Sequence, residues 1–456
     1  MSQNFKNSFT KNQVLKIKTI FKPLPVVLFI LKWLFISIII GTLVGSASAG
    51  FLISLEWATA IRESHFWLIY LLPFGGLAVG ILYLYKGQDV EAGNNLLINN
   101  IHEPKEIIPL KMAPFVYVGT IVTHLFGGSA GREGTALQMA GAISDQLTKS
   151  FRLNNEERKM LLIAAIAAGF GSVFGTPLAG AVFGLEVFLI GKIKYNAVFP
   201  AFTSAVFADI VTRMWNAHHT HYQITDIPKV TALPILYSIL AGIIFGICAV
   251  SFSRTIHFAS IQYKKHIKWA PMRPFAGGII IVILVLLLGT TRYIGLGVPV
   301  IVESFEKTLP EYDFALKMIF TIITLAAGFK GGEVTPLFFI GAALGNTLSL
   351  FIPLPMSLLA GMGFAAVFAG ATNTPLACTI MAMELFGSEC GIYAAIACIV
   401  SYLISGHNSI YSKQIIGDAK IKELNSDSNK TIHQIHEQRI IQKNTNKKSR
   451  KDSVYK

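Results

Sequence analysis

The chain has 456 residues, 53% of them hydrophobic and only 14% charged, with a mean hydropathy of +0.55. A soluble domain carries roughly 25% charged residues, so the composition excludes an ordinary water-soluble enzyme and points to a polytopic membrane protein. The formal charge of +14 is concentrated at the two ends, which sets nucleic-acid binding aside in favour of basic tails solvated near anionic headgroups.

Residues 1–23 hold five lysines and no acid, a basic segment that the positive-inside rule puts in the cytoplasm. The first apolar run, Pro25 to Leu55, is too long for a signal-peptide core and has no cleavage-like end; it is expected to stay as a membrane helix. Further runs follow at Phe66 to Tyr85, Met112 to Phe126, Met160 to Ile190, Pro234 to Phe252 and Pro274 to Gly289. Others lie at Ala315 to Phe329, Leu337 to Ile352, Pro353 to Gly370 and Pro375 to Ile404. Since about 20 apolar residues span a bilayer as helix, these runs make about ten membrane elements. An even number of crossings would put both basic ends on one side. Several runs are too short, or too broken by Gly and Pro, for a simple crossing. Such backbone survives at membrane depth only where protein or a water-filled cavity surrounds it.

Residues 24–412 are therefore read as one transmembrane domain, with halves at about 24–215 and 230–412. The remaining 413–456 holds eleven Lys or Arg against five acids and is expected to be a disordered cytoplasmic tail. Cys248, Cys378, Cys390 and Cys398 lack metal-type spacing and read as packing residues. His218, His219 and His221 read as a wet loop. No metal and no cofactor are expected.

Shifting the sequence by 200 residues aligns Gly131, Glu133, Thr135, Leu137 and Gly141 with Gly331, Glu333, Thr335, Leu337 and Gly341. A shift of 198 aligns GTPLAGAVFGLEVF (175–188) with NTPLACTIMAMELF (373–386), each preceded by a Gly-Phe-x-x-Val-Phe segment. The chain carries two homologous halves. Paired halves of this kind mark transporters and related channels, whose site lies at the repeat interface on discontinuous helices. Each glycine-rich motif precedes a short apolar run, so it sits where a helix begins and its free N–H groups attract negative charge. Helix packing through small residues explains the glycines but not the carboxylates. Glu133 and Glu333 at membrane depth cost several kcal/mol unless they have a partner or a function. Glu186 and Glu384, which recur symmetrically, read as structural partners of backbone donors.

GGSAGREGT, GTPLAG with its following Glu, GGEVTP and the late Asn-Ser-Ile-Tyr-Ser resemble the CLC family of anion channels and anion/proton antiporters, in order and spacing from about Gly93 to Ser412. The resemblance implies an all-α polytopic fold of two inverted-topology repeats, and a homodimer with one pore per subunit. It implies that Glu133 is the gating glutamate, framed by Gly131, Arg132 and Gly134, and that Tyr411 donates its hydroxyl to the bound anion. Three departures from the common chloride pattern resemble the fluoride branch. Ala92-Gly93-Asn94-Asn95-Leu96 replaces the usual Gly-Ser-Gly-Ile-Pro; Thr135 replaces the proline after Gly134; Val187 replaces the second glutamate after Glu186. Gly331-Gly332-Glu333-Val334-Thr335 also belongs to that branch, where Glu333 and Thr335 line the fluoride and proton path. Fluoride is strongly hydrated, so stripping its water requires donors such as the amides of Asn94 and Asn95, the hydroxyls of Thr335 and Tyr411, and the positive ring edge of Phe339.

The expected function is export of fluoride coupled to proton import across a bacterial plasma membrane, with fluoride or chloride and protons as transported ions. A chloride/proton exchanger or chloride channel of the same fold is the nearer alternative. A remote one is an intramembrane serine protease, since Gly127-Gly128-Ser129-Ala130-Gly131 fits G-x-S-x-G. That pattern leaves the repeat unexplained, and the chain is read as a transporter rather than an enzyme.

Overall fold

The computed structural model describes residues 24–220, 222–435 and 437–438. The basic segment 1–23, His221 and the last residues of the tail lie outside the described residues. The first half contains α1 (Leu24–Ser64), α2 (Leu72–Lys86), α3 (Asn94–His102), α4 (Met112–Leu125), α5 (Glu133–Asp145), α6 (Asn155–Phe174), α7 (Pro177–Glu186) and α8 (Val198–Met214). The second contains α9 (Ala232–His266), α10 (Met272–Leu288), α11 (Val298–Glu306), α12 (Asp313–Ala327), α13 (Val334–Leu348), α14 (Met356–Thr372), α15 (Pro375–Phe386) and α16 (Gly391–Ile404).

Helix length varies widely. α1 has 41 residues, roughly 60 Å at 1.5 Å per residue, about twice a hydrocarbon core, so it runs oblique to any bilayer or out of it. α5, α7 and α15 have 13, 10 and 12 residues and reach only part of the way. The apolar runs misplace several boundaries. Met160 to Ile190 divides into α6 and α7, and Pro375 to Ile404 into α15 and α16. The first break follows from the left-handed Gly175 that caps α6 and from Pro177 at the first turn of α7, since proline starts a helix readily and continues one poorly. Asn373 and Pro375 do the same between α14 and α15, so the 198-residue repeat is a repeat of this break. Conversely, α1 and α9 continue well beyond their apolar stretches, to Ser64 and His266.

α6 and α14 are buried on nearly all sides, the pattern of a helix inside a core. Their repeated phenylalanines meet there. Phe170 stacks on Phe183 at 4.4 Å and Phe338 on Phe364 at 4.1 Å, while Phe174 meets Phe338 edge-on at 4.9 Å. Phe170 and Phe368, at matching places in the two halves, stand 6.2 Å apart. Many exposed side chains on α1, α8, α9 and α10 are Leu, Ile, Val or Phe, as suits a surface facing hydrocarbon.

The expectation of a disordered tail from 413 is corrected for its described part. β2 (Ile415–Ile416) pairs in parallel with β1 (Leu189–Ile190), and Ile190, Ile416, Ile432 and Ile435 bury one another. The Gln414 amide donates to the carbonyls of Val187 and Thr372, each at 2.6 Å, and accepts from Asn373 at 3.2 Å. Polar composition hid these few isoleucines.

Candidate functional site

The two glycine motifs meet in space. Gly131 N–H donates to the Gly332 carbonyl at 2.6 Å and Gly332 N–H to the Gly131 carbonyl at 2.8 Å, so the starts of α5 and α13 lie side by side. The approach depends on missing side chains. A Cβ on Gly332 would stand 2.7 Å from Gly134 N, and one on Gly134 would stand 3.0 Å from both Gly332 Cα and the Asn94 amide nitrogen.

Glu133 is the first residue of α5 and fully buried. Its carboxylate reaches across to α13. It accepts the Thr335 N–H at 3.1 Å and the Thr335 hydroxyl at 2.8 and 2.7 Å. The Arg132 N–H adds a longer bond at 3.3 Å, and Arg132 Nε lies 3.5 Å away. Thr335 stands in the first turn of α13, where backbone N–H groups lack helical acceptors and carry partial positive charge. A buried carboxylate is stable here because those donors replace its water.

Asn94, Asn95, Glu333 and Tyr411 gather elsewhere, around a cavity of about 150 Å³ also lined by Gln138 and Lys330. Gly93, at φ +57°, turns the chain so that α3 begins at Asn94. The side-chain amide oxygen of Asn94 and the Tyr411 hydroxyl are buried without a protein partner. Buried polar atoms are nearly always paired, so this pair marks space for a polar guest. Asn95 is committed differently: its side-chain oxygen accepts the Lys413 N–H at 3.1 Å, fastening the segment that carries Tyr411. Glu333 precedes α13 as its N-cap residue and borders the cavity.

The structure does not bring Phe339 to that cavity. One turn along α13 from Thr335, it packs on Gly297, with Lys317 Nζ 5.2 Å from its ring centroid. Lys317 escaped the sequence reading. It is fully buried in α12 and donates to the carbonyls of Tyr293 and Gly295 at 3.1 and 2.8 Å. The signal was there, as one lysine inside an otherwise apolar helix. Ser129, considered as a nucleophile, has its hydroxyl on Thr321 at 3.0 Å and its N–H on Thr324 at 3.1 Å. His219 lies 3.8 Å from Asp209, and the described residues contain no group of three potential metal ligands.

Glu186 and Glu384 form a reciprocal pair across the halves. Glu186, ending α7, accepts the N–H groups of Leu376 and Ala377 at 3.2 and 2.9 Å. Glu384, in the last turn of α15, accepts those of Leu178 and Ala179 at 3.0 and 2.7 Å. Each glutamate thus satisfies the open helix start of the opposite repeat.

Comparison with known proteins agrees with this architecture. A "Chloride/fluoride channel protein" of Pseudomonas syringae pv. tomato is 52% identical over 398 residues, 86% of this chain and 88% of the relative. A crystal structure of a CLC-type fluoride/proton antiporter superposes with a TM-score of 0.82 at 37% identity, covering 84% of this chain and 97% of the other. A slow cyanobacterial Cl−/H+ antiporter shares the fold at a TM-score of 0.73, with 21% identity over 90% of this chain and 98% of the other. With residues 75–406 matching the family described as voltage gated chloride channel, this all-α chain belongs to the CLC family of anion-transporting membrane proteins.

Proposed function

We propose that this chain exports fluoride in exchange for protons, with Glu133 as the gate. The observation that carries the reading is the buried Glu133 carboxylate held by the N–H and hydroxyl of Thr335 at the start of α13. Those donors suit a small anion equally well, so carboxylate and anion compete for one place. Protonation weakens the carboxylate's hold and lets it leave; the anion then takes the donors. Asn94, Asn95, Thr335 and Tyr411 contact the anion as it passes, and Glu333 hands on the proton. The names of the 52% and 37% identical relatives, which include fluoride, support the choice of ion.

The protein sits in a bacterial plasma membrane with cytoplasmic termini and works as a homodimer with a pore in each subunit. Exposed Leu178, Ile210, Leu376, Met383 and Ile399 on α7, α8, α15 and α16 give a neighbouring copy an apolar face. Purified protein in liposomes, followed with fluoride and chloride electrodes under an imposed proton gradient, tests the reading. Uphill fluoride movement driven by protons supports it. Chloride flux without fluoride flux would reject the ion assignment.

A further inference from the structure

The surroundings of Glu333 contain a cation to which the proposed transport cycle gives no role. Lys330 lies in the turn between α12 and α13, three residues before Glu333. Its stem lies against α4, where a Cβ on Gly119 would stand 2.8 Å from Lys330 Cγ; the missing side chain makes the groove it occupies. The ammonium sits 3.8 Å from the centroid of the Tyr83 ring, close enough for a cation–π attraction. Among the described residues no carboxylate lies within ion-pairing distance of it, and Glu91 is the carboxylate that acts on it from farther away.

Two cavities share this lysine. The larger, about 530 Å³, is bordered by His257, Lys264 and Arg273 and reaches Glu91, Lys330 and Glu333. The smaller, about 150 Å³, begins at those same three charged residues and ends at Asn94 and Tyr411. An anion moving from one to the other passes a neck with two carboxylates and one ammonium. Like charges at short range in a partly desolvated passage repel strongly, and the carboxylates alone would close the neck to anions.

We infer that Lys330 is the positioning cation that admits the anion through this neck, an inference that rests on the anion-transport reading above. The Tyr83 ring holds the ammonium in place without neutralising it, as a carboxylate partner would. The positive charge therefore remains available to a passing anion, and Lys264 and Arg273 raise the anion concentration in the wider cavity before it.

The test is steady-state transport in vesicles with anion supplied from one side at a time. Lys330→Met keeps the stem and removes the charge. It is expected to raise the KM for fluoride presented on the side of the larger cavity about tenfold. The KM from the opposite side should stay within about twofold. Lys330→Arg should restore the low KM, and the wild-type advantage should shrink as salt is raised. Should the Met variant aggregate, Lys330→Gln carries the same expectation. An unchanged KM, an equal rise from both sides, or an Arg variant as impaired as the Met variant would overturn the inference and leave Lys330 a fastener of the α12–α13 turn. If wild-type protein carries chloride and not fluoride, the ion assignment fails, and the same comparison run with chloride still decides the role of Lys330.

Discussion

Glu133 and Glu333 occupy matching positions 200 residues apart, yet Glu133 is sealed in the interior while Glu333 borders a cavity. The two halves would be equivalent if each glutamate took the threonine of the other. One such bond exists: Thr335 donates to Glu133. Its counterpart does not, because the Thr135 hydroxyl pairs with Thr120 at 2.7 Å instead. At the outer repeat the symmetry is kept, with Glu186 and Glu384 each capping the opposite helix. Duplication supplied the scaffold, and one changed partner made a single docking place for a carboxylate where symmetry would have made two.

The strongest way to break this comparison is to neutralise each motif carboxylate in turn. Glu133→Gln is expected to cut proton flux by about 100-fold, the scale of a lost proton-transfer group, while anion flux continues. Glu333→Gln should cut it less. Proton-coupled transport persisting in Glu133→Gln, measured by pH change inside vesicles, would remove that residue from its role.

The threonines sharpen the contrast. Thr335→Val deletes a hydroxyl bonded to a charged group, a bond worth about 1.5–3 kcal/mol, whereas Thr135→Val deletes a neutral one worth about 1 kcal/mol. The first removes a donor from the docked carboxylate and from the competing anion alike, so it should lower the apparent affinity for fluoride about tenfold or more, and the second should barely change it. Equal effects in parallel flux assays would mean that the Thr335 bond does not restrain Glu133.

The symmetric caps should show in stability and leave transport least changed. Glu186→Ala and Glu384→Ala each leave two backbone N–H groups without an acceptor, at a cost of about 1–3 kcal/mol apiece where buried. Glu186 is buried and Glu384 half-buried, so Glu186→Ala should lower the melting temperature in detergent further. The reverse order would show that water does not compensate at Glu384.

Much of this was legible in the chain because it was written twice. The shared spacing of glycine, glutamate and threonine announced a duplicated helix start, and the gap between Gly370 and Pro375 marked one broken helix, while the equivalent break at Gly175 lay hidden inside the run from Met160 to Ile190. The boundaries of α1 and α9 were less legible, since hydropathy stops where the bilayer does and a helix need not. The ordered segment after Tyr411 was hidden because Gln414 and three isoleucines act through partners distant in sequence, Ile190 among them. Phe339 was assigned to the anion path from its motif, but its neighbours Gly297 and Lys317 come from other elements.

Composition places the chain in a membrane, and the repeated motifs show two related copies with a helix start at each glycine motif. Those properties follow from composition and from local backbone preference. The docking of Glu133 on Thr335, the cavity shared by Tyr411 and Asn94, and the place of Lys330 beside it arise from packing between distant segments. Such pairings join residues far apart in the chain, 202 positions for Glu133 and Thr335. They depend on how two helix starts pack against each other, and no local preference along the chain encodes that.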